Sequence, residues 1–314
     1  MINETQHTIQ DAADIPPLNH KEAGRMARVE VERFIALLET LGEDDWSKPT
    51  YCTLWNVQQM VSHQAGAYAG NAKWAEFKKQ WIQMPQPKPG QLAIDAINDL
   101  QVADRADASP QDLIAELREV GPKAIATRQR MPALIRGLRF EMGQFLRASR
   151  PPVLMAALRQ PYGPTAVAFN HQAQDFQGLM RLDYITDLIY IRDTWMHRID
   201  ICLATGRKMI LTDDHDGRMT ALVMRDLRDQ LKPALGKKTV AYDIPGPGGG
   251  CYKIGPASTP DAPDATIQMD LLYFNVLASG RMTADDARMQ GLVSIRGDGE
   301  VASLALTHMS PLAY

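Results

Sequence analysis

The chain has 314 residues, of which 45% are hydrophobic and 23% charged, a composition that favours a globular protein with a sizeable apolar core. Its 34 basic and 37 acidic residues give a formal net charge of -3, so it lacks the basic excess that is typical of nucleic-acid-binding proteins. No apolar run approaches the ~18 residues of a membrane span, and the polar N-terminus lacks the features of a signal peptide. Three cysteines without a CxxC pair fit a reducing compartment. We therefore expect a cytoplasmic protein with neither a membrane nor a nucleic-acid partner, and the length favours two domains.

The N-terminal part of the chain predicts an arm followed by two helices. Residues 1–18 are expected to form a flexible arm, because they are mostly polar and contain two consecutive prolines near their end. A helix is expected from Asn19, a residue type that caps helices, up to Gly42. After a loop with two tryptophans, Asn56 is expected to cap a second helix that reaches to about residue 81.

The middle of the chain, around 83–177, is interrupted by many prolines. Within it, apolar periodicity predicts helices at about 91–103 and 110–129, the second of which begins with a proline. The remaining segment up to 177 is predicted as short helices and loops. A long helix is then expected over 178–205, with Gly206 as the glycine that ends it.

The character of the sequence changes after Pro233. Alternating and β-branched residues predict short strands with two helices among them. The glycine-rich run 246–250 is predicted as a hairpin turn, since it matches neither of the glycine motifs that bind phosphate. The sequence therefore predicts a helical domain over 19–233 and a small α+β domain over 234–314.

One face of the long helix carries two carboxylates and an imidazole. Asp193, His197 and Asp200 are spaced i, i+4 and i+7, so they lie on the same side of an α-helix. Asp193 and His197 on adjacent turns are a typical contribution of a helical bundle to a divalent metal site. Of the seven histidines, His63 alone lies mid-helix among apolar neighbours, so it is the candidate third ligand. The alternative is a buried His–Asp pair, because buried polar groups require partners.

Arg281 is a candidate for binding an anionic group. It follows Gly280 at the end of a predicted helix, and its forked guanidinium suits a carboxylate. The alternative is a surface arginine that complements the helix dipole. Neither Cys52 nor Cys202 has the basic neighbours that mark a catalytic thiol, and Cys202 is predicted to lie in the core.

Three groups of residues form a pattern in a fixed order along the chain. They are Trp46-x-x-Pro49-Thr50-x-Cys52-x-x-Trp55-x-Val57 followed by His63; Asp193-x-Trp195-x-His197-Arg198-x-Asp200-x-x-x-Ala204-x-Gly206; and Gly280-Arg281 with Gly291-x-Val293 and Gly297-Asp298. Together they resemble the mycothiol-dependent maleylpyruvate isomerase-like branch of the DinB-like helical proteins. The resemblance covers roughly 19–82 and 178–314, which implies that the proline-rich stretch around 83–177 is an insertion relative to the family pattern.

The resemblance implies a DinB-like four-helix bundle that binds a divalent metal, usually zinc, and a small α+β domain similar to sterol-carrier folds. It also implies an enzyme that uses a low-molecular-weight thiol such as mycothiol for isomerisation or S-transfer. By position, His63 and His197 are the implied histidine ligands, and Asp193 stands where the family pattern usually has glutamate. Arg281 is implied to hold a substrate carboxylate, and Asp200 to orient His197 or an arginine.

The predicted function is therefore a metal-dependent, thiol-using isomerase or transferase that acts on a small anionic substrate. Two alternatives remain open, since a fold does not fix a function. One is a thiol-independent cyclase or hydrolase on the same bundle, which the insertion favours. The other is a non-catalytic protein that binds a small molecule or a lipid. A monomer or a homodimer is expected.

Overall fold

The structure is a computed structural model that describes residues 8–89, 91–141, 179–256 and 262–309. These residues form two compact units. The described residues between 18 and 208 make up the helical unit, and those up to 17 and from 209 onward make up the C-terminal unit. No described helix combines the length and the apolar character that a membrane crossing requires.

The helical unit is built on helices whose first turns are capped as the sequence predicts. The side chain of Asn19 accepts a hydrogen bond from the backbone N of Glu22 at 3.0 Å, and Asn56 accepts one from Gln59 at 2.9 Å. Each cap satisfies a backbone donor that the helix itself leaves unpaired. The helices of this unit are α1 (His20–Leu38), α2 (Val57–Ala72), α3 (Trp74–Phe77), α4 (Ala93–Ala103), α5 (Pro110–Gln129), α6 (Ala133–Arg136) and α7 (Tyr190–Thr205).

Helices α1, α2, α5 and α7 pack as a four-helix bundle. Both α1 and α2 lie against α5 and α7, and α4 packs on α2. Their apolar faces meet in a core that includes Phe34, Val61, Leu117 and Ile199, all with 0% exposure. Burying each such side chain contributes about 1.5–3 kcal/mol. The predicted fold class, a mainly helical bundle followed by a small α+β region, is confirmed.

The long helix predicted over 178–205 begins later than expected. Leu179–Arg181 is instead a strand, paired antiparallel with Arg139–Glu141, and a π-helical segment, Tyr184–Ile189, connects it to α7. The prediction was wrong here because the backbone groups of 179–181 form their hydrogen bonds with a strand some 40 residues earlier. Periodicity within the segment itself cannot reveal such a distant partner. The helix ends as predicted at Gly206, whose φ of 70° glycine adopts without strain. Residues 142–178 of the predicted insertion lie outside the described residues.

The C-terminal unit contains a five-stranded mixed sheet with helices. Its elements are β1 (Ile9–Asp11), α8 (Arg218–Leu235), β2 (Val240–Ile244), β3 (Gly250–Ile254), β4 (Ala265–Gln268), α9 (Leu271–Ala278), α10 (Ala284–Met289), β5 (Ser294–Gly297) and α11 (Gly299–Thr307). The strand order is β1-β3-β2-β4-β5. The pairs β1–β3 and β2–β4 are parallel, whereas β2–β3 and β4–β5 are antiparallel.

Two predicted domain limits differ from this arrangement. Part of the expected arm forms the edge strand β1, in which Ile9 lies opposite Cys251, because the sheet offers the arm's backbone a partner. Helix α8, which was assigned to the helical domain, packs on β3 and α11 in the C-terminal unit. Pro233 lies in the last turn of α8 and does not end it. The two units therefore divide at 208 rather than at 233.

Candidate metal centre

Helix α7 carries three polar residues on one face, as the spacing predicts. His197 is 2% exposed and Asp200 is 0% exposed, whereas the Asp193 side chain is 18% exposed. Fully buried apolar residues such as Met196 and Ile199 lie between them in sequence. Charged groups in such surroundings are costly unless they are paired or bind a metal.

His63 on α2 completes a cluster with Asp193 and His197. Its Nε2 lies 3.4 Å from Asp193 Oδ2, and His197 Nε2 lies 3.4 Å from Asp193 Oδ1. One ligand atom from each of the three residues lies within 4.8 Å of the others. Two ligands of a tetrahedral zinc ion are about 3.3 Å apart, because each is about 2.0–2.1 Å from the ion. The spacing of this cluster therefore suits a divalent metal.

The second nitrogen of each imidazole is occupied by an acceptor. His197 Nδ1 lies 3.1 Å from Asp200 Oδ2, and His63 Nδ1 lies 2.8 Å from Gln101 Oε1. An imidazole whose Nδ1–H is donated in this way keeps the lone pair of Nε2 for a metal. Both Nε2 atoms face Asp193, so the arrangement is the one in which outer partners orient metal-binding histidines.

A chain of amides fixes the orientation of Gln101. Its Nε2 donates to Gln80 Oε1 at 2.9 Å, and Gln80 Nε2 donates to the backbone oxygen of Gly66 at 3.0 Å. The oxygen of Gln101 must therefore face His63. Both glutamines are buried, and Gln101 lies on α4, within the stretch predicted as an insertion.

Gln64 and Trp55 contact the cluster from other directions. Gln64 Nε2 donates to Asp193 Oδ2 at 2.5 Å, and Gln64 Oε1 accepts from Thr194 Oγ1 at 2.8 Å. The Trp55 ring stacks on His63 with 4.9 Å between ring centroids. Asp193 is thus held by an uncharged donor as well as by the imidazoles, and the stacked ring restricts how His63 can turn.

The electrostatics of the cluster follow from charges of opposite sign held in a buried place. Burial would raise the pKa of Asp193, but the attraction of His197 and hydrogen bonds from both histidines outweigh it and hold that pKa well below its ordinary value. For His197, burial would lower the pKa, but Asp193 and Asp200 outweigh it and raise the pKa. Without a metal, the carboxylate stays ionised and favours a protonated imidazole beside it.

Arg281 lies in the C-terminal unit, next to Gly280, whose φ is 71°. Its backbone N donates to the oxygen of Val276 at 3.0 Å, and the helix before it ends there as predicted. Its role toward a substrate carboxylate stays a prediction. The core position expected for Cys202 is confirmed, and burial raises the pKa of this thiol to about 11.

Sequence reasoning missed the three residues that support the cluster from outside. Glutamine and tryptophan side chains do not titrate, so the sequence alone does not mark Gln64, Gln101 and Trp55 as site residues. Trp55 was visible as part of the motif that precedes His63. Gln64 directly follows His63 in the sequence, but an amide side chain at that position does not by itself indicate a site. Gln101 could not be assigned from spacing, because it contacts His63, which lies 38 residues earlier on another helix.

Comparison with known proteins finds a family model and two solved structures to which the chain is similar. Residues 27–160 match a family model described as the mycothiol maleylpyruvate isomerase N-terminal domain. Two crystal structures of the mycothiol-dependent maleylpyruvate isomerase are similar to the chain at 11% identity. One, of a histidine-to-alanine mutant, has a TM-score of 0.49 and covers 91% of this chain and 95% of its own; the other has a TM-score of 0.48 and covers 87% and 93%. No curated protein matches the chain.

Proposed function

We propose that this chain, which belongs to the mycothiol maleylpyruvate isomerase family through residues 27–160, is a metal-dependent enzyme that uses a low-molecular-weight thiol. Its reaction is isomerisation or S-transfer on a small anionic substrate. His63, Asp193 and His197 are the proposed metal ligands. Zinc is the proposed metal, since two imidazoles and a carboxylate form a donor set that zinc enzymes use.

The observation that carries this proposal is the orientation of the two imidazoles. Both Nε2 atoms face Asp193 at 3.4 Å, while both Nδ1 atoms are engaged by Gln101 and Asp200. A buried His–Asp pair, the alternative considered from the sequence, needs one imidazole and one carboxylate. Here two imidazoles converge on one carboxylate, which is more than that pair requires and is what a three-ligand site requires.

His63, Asp193 and His197 would hold the divalent ion, and a bound ion would supply a lowered pKa for a thiol that binds beside it. The chain itself supplies orientation and shielding. Asp200 and Gln101 hold the protons on the two Nδ1 atoms, Gln64 holds one oxygen of Asp193, and Trp55 covers the His63 ring.

The thiol is the nucleophile in the proposed chemistry. Its sulfur adds to one carbon of a substrate double bond, and a proton is taken up at the neighbouring carbon. In an isomerase the carbon–carbon bond then rotates and both groups leave, so the thiol is regenerated. In a transferase the adduct is the product. Arg281 is proposed to hold the anionic end of the substrate, as the family resemblance implies.

Elemental analysis of protein purified without added metal tests the ligand set. We expect close to one equivalent of a divalent metal in the wild type, and loss of nearly all of it in His63→Ala and His197→Ala. His308→Ala is the matched control, because His308 belongs to the C-terminal unit and should leave the metal content unchanged. Equal metal in the wild type and both site variants would overturn the proposal.

A screen of small thiols separates the proposed reaction from its alternatives. Stabilisation of the metal-loaded protein by a thiol, absent in His197→Ala, supports a thiol-using enzyme. Metal-dependent turnover of a substrate without any thiol would indicate the cyclase or hydrolase instead. A metal-free protein that copurifies with a lipid or another small molecule would indicate the non-catalytic binding protein.

A further inference from the structure

A second polar feature of the bundle interior is Arg128, near the C-terminal end of α5. It is only 3% exposed, and its terminal nitrogens Nη1 and Nη2 are buried without a hydrogen-bond partner among the described residues. A guanidinium never loses its charge in a protein. A buried charge without an anion is strongly unfavourable, so the described residues alone leave this site incomplete.

Two other buried arginines of the same unit differ from Arg128. Arg105 donates to both carboxylate oxygens of Glu116 at 2.7 Å. Arg198 donates to both oxygens of Glu30 at 2.8 and 3.1 Å. Both have the two-point carboxylate contact that this side chain favours. The described part of the unit gives Arg128 no such carboxylate.

Two tyrosine rings hold the guanidinium of Arg128. Its Cζ lies 4.5 Å from the ring centroid of Tyr190 and 5.5 Å from that of Tyr68. Contact with aromatic faces stabilises a cation but takes up no N–H group. The Nη1 and Nη2 groups of the fork therefore remain without an acceptor among the described residues, and their planar arrangement is the one that a carboxylate matches.

The same tyrosines connect Arg128 with the metal centre. Tyr190 precedes Asp193 by three residues, about one turn of α7. Tyr68 Oη lies 2.9 Å from Thr194 Oγ1, Thr194 bonds Gln64 at 2.8 Å, and Gln64 bonds Asp193 at 2.5 Å. Arg128 is thus joined through three side chains to the carboxylate of the candidate metal site.

We propose that Arg128 binds a carboxylate group of the substrate inside the helical bundle, beside the metal centre. The substrate would present its carboxylate to the Arg128 fork and its reactive carbon toward the His63, Asp193 and His197 cluster. The identity of the bound molecule as a substrate rests on the proposed function, whereas the carboxylate site does not. The proposal for Arg128 does not depend on the role that the family resemblance implies for Arg281.

Succinate is the probe for this site, and the protein is tested in the His63→Ala background without metal. In that background, binding of succinate to a metal cannot explain the result. We expect succinate, at constant ionic strength, to raise the unfolding temperature of the parent protein. Arg128→Met should abolish this rise, and should unfold at the same or a higher temperature without succinate, because it removes an unpaired buried charge. Arg130→Met, an exposed position two residues along, is the matched control and should respond to succinate like the parent.

Arg128→Lys keeps the charge and loses the fork, so it should bind succinate roughly tenfold more weakly than the parent. Two results would overturn the proposal. One is an equal effect of succinate on the parent and both Arg128 variants. The other is an unstable Arg128→Met together with no effect of succinate on the parent, which would make the arginine a purely structural partner of the two tyrosines. Neither result depends on metal content or on a thiol, so the proposed function stands or fails separately.

Discussion

Two buried polar groups on α7 stand side by side in sequence and differ in what satisfies them. Arg198 forms a two-point ion pair with Glu30 of α1, and both side chains are at most 2% exposed. Its neighbour His197 belongs to a cluster in which two imidazole Nε2 atoms and one carboxylate face one another. In the first group the charge of Arg198 is balanced by a carboxylate of the chain itself. In the second, the two Nε2 atoms and the carboxylate are all acceptors unless a proton or a metal is added. Burial alone therefore does not distinguish a structural pair from a site, whereas the balance of donors and acceptors does.

The largest expected effect comes from breaking the complete group. Glu30→Leu should lower the free energy of unfolding by roughly 3–5 kcal/mol, because it leaves Arg198 buried without its anion. Urea unfolding measures this change. Glu30→Leu combined with Arg198→Leu should recover most of the loss, and metal content per folded molecule should not change. A loss below about 1 kcal/mol, the size seen for surface pairs, would contradict the contrast between the two groups.

A smaller effect is expected from the outer partners of the second group. Asp200→Asn and Gln101→Leu should each weaken metal binding roughly 10–100-fold, because the imidazole that each one orients is released. Competition with a chromophoric chelator measures the affinity. Gln91→Leu is the control, since Gln91 precedes α4 and its side chain bonds Asp99 and the backbone N of Lys88 rather than a residue of the cluster. Unchanged affinity in both site variants would argue against a metal held through Nε2.

The smallest effect concerns pH, and its sign depends on the metal. In the metal-free protein the raised pKa of His197 stabilises the fold fully below the ordinary histidine pKa of about 6.5, and this stability is lost as pH rises through the raised pKa. The lowered pKa of Asp193 adds stability above the ordinary carboxyl range, lost only as pH falls toward the lowered value. With metal, protons compete for the same atoms, so metal stabilisation grows as pH rises.

Unfolding free energies with and without zinc, measured across neutral pH, should therefore change in opposite directions as pH rises. Each proton contributes at most about 1.4 kcal/mol per pH unit. His197→Ala removes the titrating imidazole and should flatten both curves. Parallel curves for the wild type with and without zinc would contradict metal binding at His197.

Much of the fold and of the metal cluster could be predicted from the sequence, because short-range spacing controls both. The i, i+4 and i+7 spacing places Asp193, His197 and Asp200 on one face of α7. Residue types with strong capping preferences mark the ends of several helices. His63 was predictable because few histidines lie within apolar periodic segments. These signals need no knowledge of which helix packs against which.

The remaining features depend on contacts between distant segments. Gln101 supports His63 from α4, which lies within the stretch predicted as an insertion. The strand at 179–181 exists because 139–141 lies beside it. Arg128 sits near the end of α5, where a basic residue usually complements the helix dipole, and only the packing of Tyr68 and Tyr190 reveals that it is buried.

The π-helical segment Tyr184–Ile189 has a consequence for how this protein tolerates changes in chain length. A π-helix accommodates an extra residue within a continuous helix by widening its turns. Loss of one residue from this segment would therefore let it close as ordinary α-helix, with little change in the direction of the ligand face of α7. Loss of one residue between Tyr190 and Asp193, within ordinary α-helix, would instead turn that face by about 100°, the rotation per residue of an α-helix. Relatives or engineered variants should therefore tolerate a one-residue deletion in Tyr184–Ile189 but not one between Tyr190 and Asp193.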